Sequence, residues 1–316
     1  MKSGYTVLVK KIQDFTNDPR FQLIRQLNAQ ILKHPFDPSV SIDTQRDVAK
    51  LILPKSTGRM VVPTVYGFRL IIDLAQSHAE TMQGSIERNL YILGTYEAGT
   101  LEIIRRSLMS WGKGATFVDV GAHNGLMSIY AALIGGATKV LSFEPNPPMF
   151  EMLKANLELN NCTNVTPFGL ALGDKRGTAS IAIDTENSGA AHITIPEHAA
   201  EHTVSIDTLD HVAKTNGLDH INLMLMDVEG YENNVLIGAE KMLSTHKPDL
   251  IIEYDPNDRD SRVTDILQRH GYKVYILEHS RHLPSRLVPF KITKGSAQKD
   301  NYFCFQPERA KALDLT

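Results

Sequence analysis

The sequence predicts an α/β fold on a doubly wound, mostly parallel sheet, and three observations carry that prediction. Short apolar, β-branched runs recur at residues 115–120, 139–143, 165–172, 221–226 and 249–254, and runs of that length and composition suit strands buried on both faces. Residues at helical spacing follow them: Leu126, Ile129, Tyr130 and Leu133 after the first run, then Phe150, Leu153 and Leu157 after the second. Alternation of this kind builds βαβ units. Finally, glycines and acids collect where the runs stop, at 118–126 (VDVGAHNGL), Glu144, 227–232 (DVEGYE) and Glu253. In open α/β sheets, ligands sit outside the carboxyl ends of the strands.

Length and composition set the outer limits. A chain of 316 residues accommodates about two domains, or one large α/β domain with an added arm. With 42% hydrophobic and 22% charged residues it is an ordinary globular protein, and a net charge of −3 makes no general case for nucleic acid. The charge is uneven, since residues 1–60 hold ten Lys/Arg against five Asp, a local +5 that leaves −8 elsewhere. A solvated helix face explains this; contact with an anionic substrate or a second subunit is the alternative. Cys162 and Cys304 fit no metal-ligand spacing and read as free thiols of a reducing compartment. The first residues lack a signal-peptide core, and no stretch approaches the roughly 20 apolar residues that span a bilayer. The expectation is a soluble cytoplasmic protein with neither membrane nor nucleic acid as a partner.

From the N-terminus, residues 21–32 place Phe21, Ile24, Leu27 and Ile31 on one face of an amphipathic helix, and Pro35 and Pro38 then break it. Packing on the main domain would cover that face; a homo-oligomer contact through the arm, or a lid, is the alternative. Residues 61–74 alternate apolar and β-branched side chains about Tyr66-Gly67, which suggests a small hairpin. The chain is therefore divided into an N-terminal helical and hairpin arm, 1–82, and a main domain, 83–316. A helical stretch over 90–110 follows. Within it Gly94 and Thr95 supply a turn just before Glu97, which either faces inwards or favours a helix N-terminus.

Spacing in the turn after the first main-domain strand fits a methyl donor better than a dinucleotide, a plain tight connection being the alternative. A dinucleotide fingerprint, G-x-G-x-x-G, seats a pyrophosphate on a helix N-terminus, whereas Asp119, Gly121 and Gly125 make D-x-G-x-x-x-G. An acid at the strand end repels a pyrophosphate but suits the ammonium of an amino-acid group, which S-adenosylmethionine presents there. Glu144 ends the second strand 25 residues after Asp119, where doubly wound folds place the carboxylate that takes ribose hydroxyls as donors. The Asn-Pro-Pro string at 146–148 follows the second strand rather than the fourth, and Met149 stands where a base-stacking aromatic is needed, so it is not read as a base-methylation motif. The third strand ends at 170–174, where adenine is expected.

Strands at 179–183 and 203–206 flank a loop whose His192, His198 and His202 read as solvated or substrate-facing, because their spacing and the lack of a nearby Cys suit no metal site. The fourth main strand, 221–226, delivers Asp227 and Glu229 ahead of a helix over 231–243. One acid is enough to favour a helix N-terminus, so at least one of the two is assigned a functional role. Glu253 ends the next strand. A helix at 262–270, strands at 272–277 and 302–305, and a proline-broken surface loop at 278–299 complete the chain.

The assembled pattern resembles the FkbM family of S-adenosylmethionine-dependent methyltransferases, over roughly residues 95–253. The matching pieces are Tyr96-Glu97, VDVGAHNGL, the stretch 141–160, ALGD at 171–174, TLD at 208–210, DVEGYE, GAEKML at 238–243 and PDLIIEY at 248–254. The resemblance implies a seven-stranded, Rossmann-like class I methyltransferase fold. It also implies O-methylation of a small-molecule hydroxyl, on a sugar or a polyketide-like product. Two departures stand out: Leu225 where the family commonly has lysine, and His123-Asn124 in a turn that usually reads GANxG.

Together with the residue reading, this assigns Asp119, Gly121, His123 and Gly125 to the donor's methionine part, Glu144 to ribose, and Ala171 and Leu172 to adenine. Glu97, Ala122, Pro145 and Asp227 complete the cofactor-binding set. Asp227, Glu229 and Glu253 are the candidate catalytic groups. No metal is expected; Mg²⁺ held by Asp227, Glu253, Asp255 and Asn257 is the alternative. A non-catalytic S-adenosylmethionine-binding scaffold is the alternative of a different class.

Overall fold

The computed structural model describes residues 13–14, 58–74, 86–182, 192–194, 202–254, 262–278, 280, 285–290 and 300–315. They form two compact units parted between Tyr96 and Glu97. In the first, β1 (Gln13–Asp14) runs parallel to β2 (Arg59–Pro63), which pairs antiparallel with β3 (Arg69–Asp73) as the expected hairpin. Thr64 closes its turn, the amide and hydroxyl both donating to the Phe68 carbonyl at 2.7 and 2.8 Å. Helix α1 (Ile86–Leu93) packs on β3. The amphipathic helix expected at 21–32 lies outside the described residues.

The second unit begins with α2 (Ala98–Trp111), so the helical stretch expected at 90–110 is two helices with a break at Gly94–Glu97. Then come β4 (Thr116–Val120), α3 (Leu126–Leu133), β5 (Lys139–Phe143), α4 (Pro147–Leu159) and β6 (Val165–Phe168). Pro147 and Pro148 occupy the first turn of α4, where a missing amide hydrogen costs nothing. A smaller sheet, in the order β7–β10–β8–β9, follows from β7 (Ala171–Leu172), β8 (Gly177–Ala182), β9 (His192–Thr194) and β10 (His202–Asp207). The third strand expected at 165–172 is thus shared between two sheets.

The chain returns through α5 (Leu209–Thr215), β11 (Leu223–Met226), α6 (Glu232–Ile237), α7 (Glu240–Thr245), β12 (Asp249–Tyr254), α8 (Arg262–Arg269), β13 (Lys273–Glu278), β14 (Arg286–Pro289) and β15 (Asp300–Phe305). The main sheet runs β14–β13–β15–β12–β11–β4–β5–β6. Its five central and far-edge strands, β12 to β6, are parallel, and β15 is antiparallel to both its neighbours. This is the doubly wound, mostly parallel α/β sheet expected, with one more edge strand. β14 lies in the stretch read as a surface loop; Leu287 and Val288 pair with Leu277 and Ile276, and an exposed Pro289 ends the strand.

The apolar runs form this sheet because both faces are covered. Val118, Val120, Leu141, Phe143, Met224, Met226, Leu250 and Ile252 are buried in one core on one face, and Phe117, Val140, Leu223 and Ile251, which alternate with them, are buried on the other. From β4 the chain proceeds to β5 and β6 on one side, then comes back to the other side as β11. That reversal is a topological switch point, and it puts the turns after β4 and β11 side by side. Cys162 and Cys304 are buried free thiols. Among the described residues no helix is long and apolar enough to cross a membrane.

Candidate functional site

The turn after β4 is pinned to β5 by its backbone: the amides of Gly121 and Ala122 both donate to the Phe143 carbonyl at 2.9 Å. Gly121 has φ +89°, and a methyl group there would stand 1.9 Å from the Asp227 carbonyl oxygen. Only glycine lets the two switch-point turns touch. Gly125 opens α3 with no side-chain cap of its own, and Asn124 Oδ1 accepts from the Leu126 amide at 3.1 Å instead.

On the β5 side of Gly121 lie Asp119 and Glu144. Asp119 is buried, its Oδ2 accepting from Ser128 Oγ at 2.5 Å, while Ser128 and Ser142 share a hydrogen bond of 2.6 Å. Burial raises its pKa to about 6. Glu144 is also buried. Its Oε2 accepts from the His123 amide at 2.7 Å and its Oε1 from the Asn146 amide at 2.8 Å, which leaves acceptor capacity on both oxygens. Burial outweighs these amides, and with the Asp119 charge nearby the Glu144 pKa rises to about 7. Three buried polar atoms around this turn have no protein partner: Asp119 Oδ1, Asn124 Nδ2 and Asn146 Oδ1. Native interiors rarely leave such atoms unsatisfied unless a ligand or water meets them.

On the other side, Asp227, Glu229 and Glu253 bring carboxylate oxygens within 4.8 Å of one another. Asp227 and Glu229 are exposed and Glu253 is half-buried. Desolvation first, then the charge and hydrogen bond of Glu253, then Glu97 and Glu229, hold the Asp227 pKa well above the ordinary value. Glu97 stands at the N-cap of α2 but makes no side-chain cap; its Oε2 accepts from Thr100 Oγ1 and Asn301 Nδ2, each at 3.0 Å. Of six non-glycine residues with positive φ among the described residues, three are Glu97, His123 and Glu229. Left-handed backbone costs free energy in such residues and concentrates at functional sites.

The structure therefore gathers the expected residues into two acid groups, Asp119 with Glu144 and Asp227 with Glu229, Glu253 and Glu97. Their turns meet at Gly121. Capping does not account for Asp227 or Glu229, because the N-cap of α6 is Tyr231, which makes no side-chain cap, and Glu232 takes the Gly230 amide at 3.0 Å. Ala122 is buried within the first turn and Pro145 is half-buried beside Glu144. Ala171 and Leu172 are buried in β7, paired with Ile206 and Asp207. His192 and His202 fall on β9 and β10; His198, Asp255 and Asn257 lie outside the described residues. Sequence reasoning missed Ser128, Ser142, Asn146, Thr100 and Asn301. Asn124 was visible only as a departure from the usual turn.

The model of the methyltransferase FkbM domain matches residues 119–274. AMB antimetabolite synthetase AmbE of Pseudomonas aeruginosa is 27% identical over 205 residues, 51% of this chain and 10% of that protein. Hexuronic acid methyltransferase AglP of Haloferax volcanii is 26% identical over 149 residues, 46% of this chain and 59% of that protein. The chain thus spans between a tenth and about three-fifths of these relatives. Among solved structures, methyltransferase FkbM of Methylobacillus flagellatus KT aligns with a TM-score of 0.41 at 19% identity, covering 61% of this chain and 43% of that one.

Proposed function

We infer, from the premise that the chain carries an FkbM-family, S-adenosylmethionine-dependent methyltransferase domain at residues 119–274, that it methylates a hydroxyl oxygen of a small molecule. The observation that carries this reading is the meeting of two unlike acid groups at Gly121. One is buried and short of partners, and the other is open to solvent with its oxygens clustered. When bound, the donor supplies a methyl group on a positively charged sulfur. The unpartnered atoms of Asp119, Asn124 and Asn146 fit a ligand that both donates and accepts hydrogen bonds. Glu144 would hold ribose hydroxyls through its remaining acceptor capacity. Asp119, Gly121, Ala122, His123 and Gly125, with Glu97, would receive the amino-acid end; Pro145, Ala171 and Leu172 would flank the nucleoside.

A hydroxyl is a poor nucleophile until its proton is drawn off. Asp227 keeps its own proton well above the usual carboxylate range, so we assign it to orientation, Glu229 to taking the acceptor's proton, and Glu253 as the second candidate base. The likeness to a hexuronic acid methyltransferase supports a sugar acceptor, with a polyketide-like product as the other candidate. Acceptor choice we assign to the arm, residues 1–82, apart from the methyltransferase domain at 83–316.

Two substitutions test the reading. Glu144→Ala is expected to weaken donor binding about tenfold or more in calorimetry; unchanged affinity sinks the ribose role. Glu229→Gln is expected to bind donor normally and to slow S-adenosylhomocysteine release, with hydroxylated acceptors, about 100-fold. Unchanged turnover removes Glu229 as the base, and loss of wild-type activity with a chelator shifts the acid group from proton transfer to metal binding.

A further inference from the structure

The last strand of the sheet reaches the acid group from outside residues 119–274. β15 pairs with β12 in a register that sets Asn301 opposite Glu253, and opposed residues of an antiparallel pair carry their side chains on one face. Asn301 is 5% exposed; its Nδ2 donates to Glu97 Oε2 at 3.0 Å and lies 3.5 Å from Thr100 Oγ1. Glu97 needs such support, since its φ of 48° and ψ of 53° are left-handed for a residue with a side chain. The amides of Gly99 and Thr100, at the start of the same helix, donate to the Ser280 carbonyl at 2.8 and 3.2 Å. The chain after β13 thus ties down the α2 backbone, and β15 ties down the Glu97 side chain.

We propose that Asn301 is a positioning residue of the donor site, holding the Glu97 carboxylate as the fourth acid of the group at the ends of β11 and β12, towards the positively charged donor. This rests on the reading of Glu97 as a donor-binding residue. Asn301 acts through Glu97 and touches no reacting atom. An amide suits the task because it donates to a carboxylate without adding charge to a group whose acids already repel one another.

The test is calorimetric titration of the full chain with S-adenosylmethionine, at about pH 5 and about pH 8. It uses wild type, Glu97→Gln, Asn301→Leu, Asn301→Asp and the double variant Glu97→Gln/Asn301→Leu. Asn301→Leu is expected to weaken donor binding about tenfold, and to add nothing in the Glu97→Gln background, because the two residues act as one unit. In Asn301→Asp the introduced carboxyl, while protonated, donates as the amide does, so affinity matches wild type at the lower pH. Once ionised it faces Glu97 with like charge, and affinity departs from wild type. A merely structural role changes affinity equally at both pH values and in both backgrounds. The proposal is overturned by wild-type affinity in Asn301→Leu, by additive losses in the double variant, or by Asn301→Asp tracking wild type at both pH values. Should Asn301→Leu fail to fold, the nearly isosteric Asn301→Asp decides. Unchanged affinity in Glu97→Gln overturns the reading of Glu97 itself, a separate result.

Discussion

Asp119 and Asp249 are both buried, on strands of one sheet, with opposite surroundings. Asp249 opens β12 at the amino edge. Its Oδ2 accepts from Ser107 Oγ at 2.7 Å, Trp111 Nε1 at 3.1 Å and Arg309 Nη2 at 2.7 Å, and the Arg309 guanidinium lies 3.8 Å over the Trp111 ring. Asp119 is near the carboxyl end of β4, where one serine serves one of its oxygens, the other has no partner, and its charge acts against the like charge of Glu144. A carboxylate used to hold a fold is supplied with its counter-charge and donors; buried charge without them is costly and persists where a ligand is to be met. On the proposed reading of the site, the amino edge of this sheet is built for stability and the carboxyl edge for binding.

The same substitution at the two aspartates should then act with opposite sign. Asp249→Asn strands the Arg309 guanidinium in the interior and is expected to destabilise the protein by about 3–5 kcal/mol in denaturant titration, while the folded fraction keeps its donor affinity. A loss below about 1 kcal/mol would make this edge no different from a surface ion pair. Asp119→Asn should do the reverse. Its pKa in the folded state is raised from 3.8 to about 6, so proton uptake favours folding below the unfolded value, and that contribution is lost as pH rises through about 6. At pH 8 the wild type carries an unfavourable buried charge that asparagine lacks. The variant is expected to be more stable there by roughly 1–3 kcal/mol, with little difference at pH 4, and to bind donor more weakly. Loss of stability at both pH values would return Asp119 to the structural class.

Much of the fold can be read from local pattern, because the strands that form the middle of the sheet are continuous apolar runs closed by an acid. β5 and β12 span the residues their runs mark. Elements whose partners are remote are harder. The helix expected at 231–243 divides at Gly238, since α6 and α7 have apolar residues at spacings that one helix would also satisfy. β14 offers two apolar residues, and only its pairing with β13 makes it a strand. The site divides likewise. Asp119, Gly121, Glu144, Asp227, Glu229 and Glu253 are visible because each stands at or just past the end of a predicted strand. Asn301 is not, because it joins the group through cross-strand register with Glu253 and a hydrogen bond to a residue 204 positions away.

The smallest expected effect also lies at the amino edge, and it asks whether that edge is free of titration near neutral pH. His220 joins two rings there, meeting Trp111 edge-on at 5.6 Å and stacking on His246 at 5.2 Å. His246 Nδ1 accepts from the Ile221 amide at 3.1 Å, which requires that nitrogen to carry no proton. Desolvation and then His220 lower the His246 pKa from 6.5, with Lys241 acting the same way and Asp210 and Asp219 opposing them. A histidine whose folded pKa is depressed lends stability that is present above the unfolded value and lost as pH falls through and below it. Acidification from pH 7.5 to 5.5 should therefore strain the Ile221 hydrogen bond, because a proton taken up on His246 Nδ1 removes its acceptor. The ring is half-buried and solvent screens it, so the contribution is only roughly half a kcal/mol. His246→Asn keeps an acceptor near the Ile221 amide and removes the titration. Between those pH values the variant should lose less stability than wild type, the difference cancelling the opposite drift contributed by Asp119 and Glu144. Parallel stability curves for the two proteins would mean that His246 does not titrate in this range, which sharpens the contrast between the edges further.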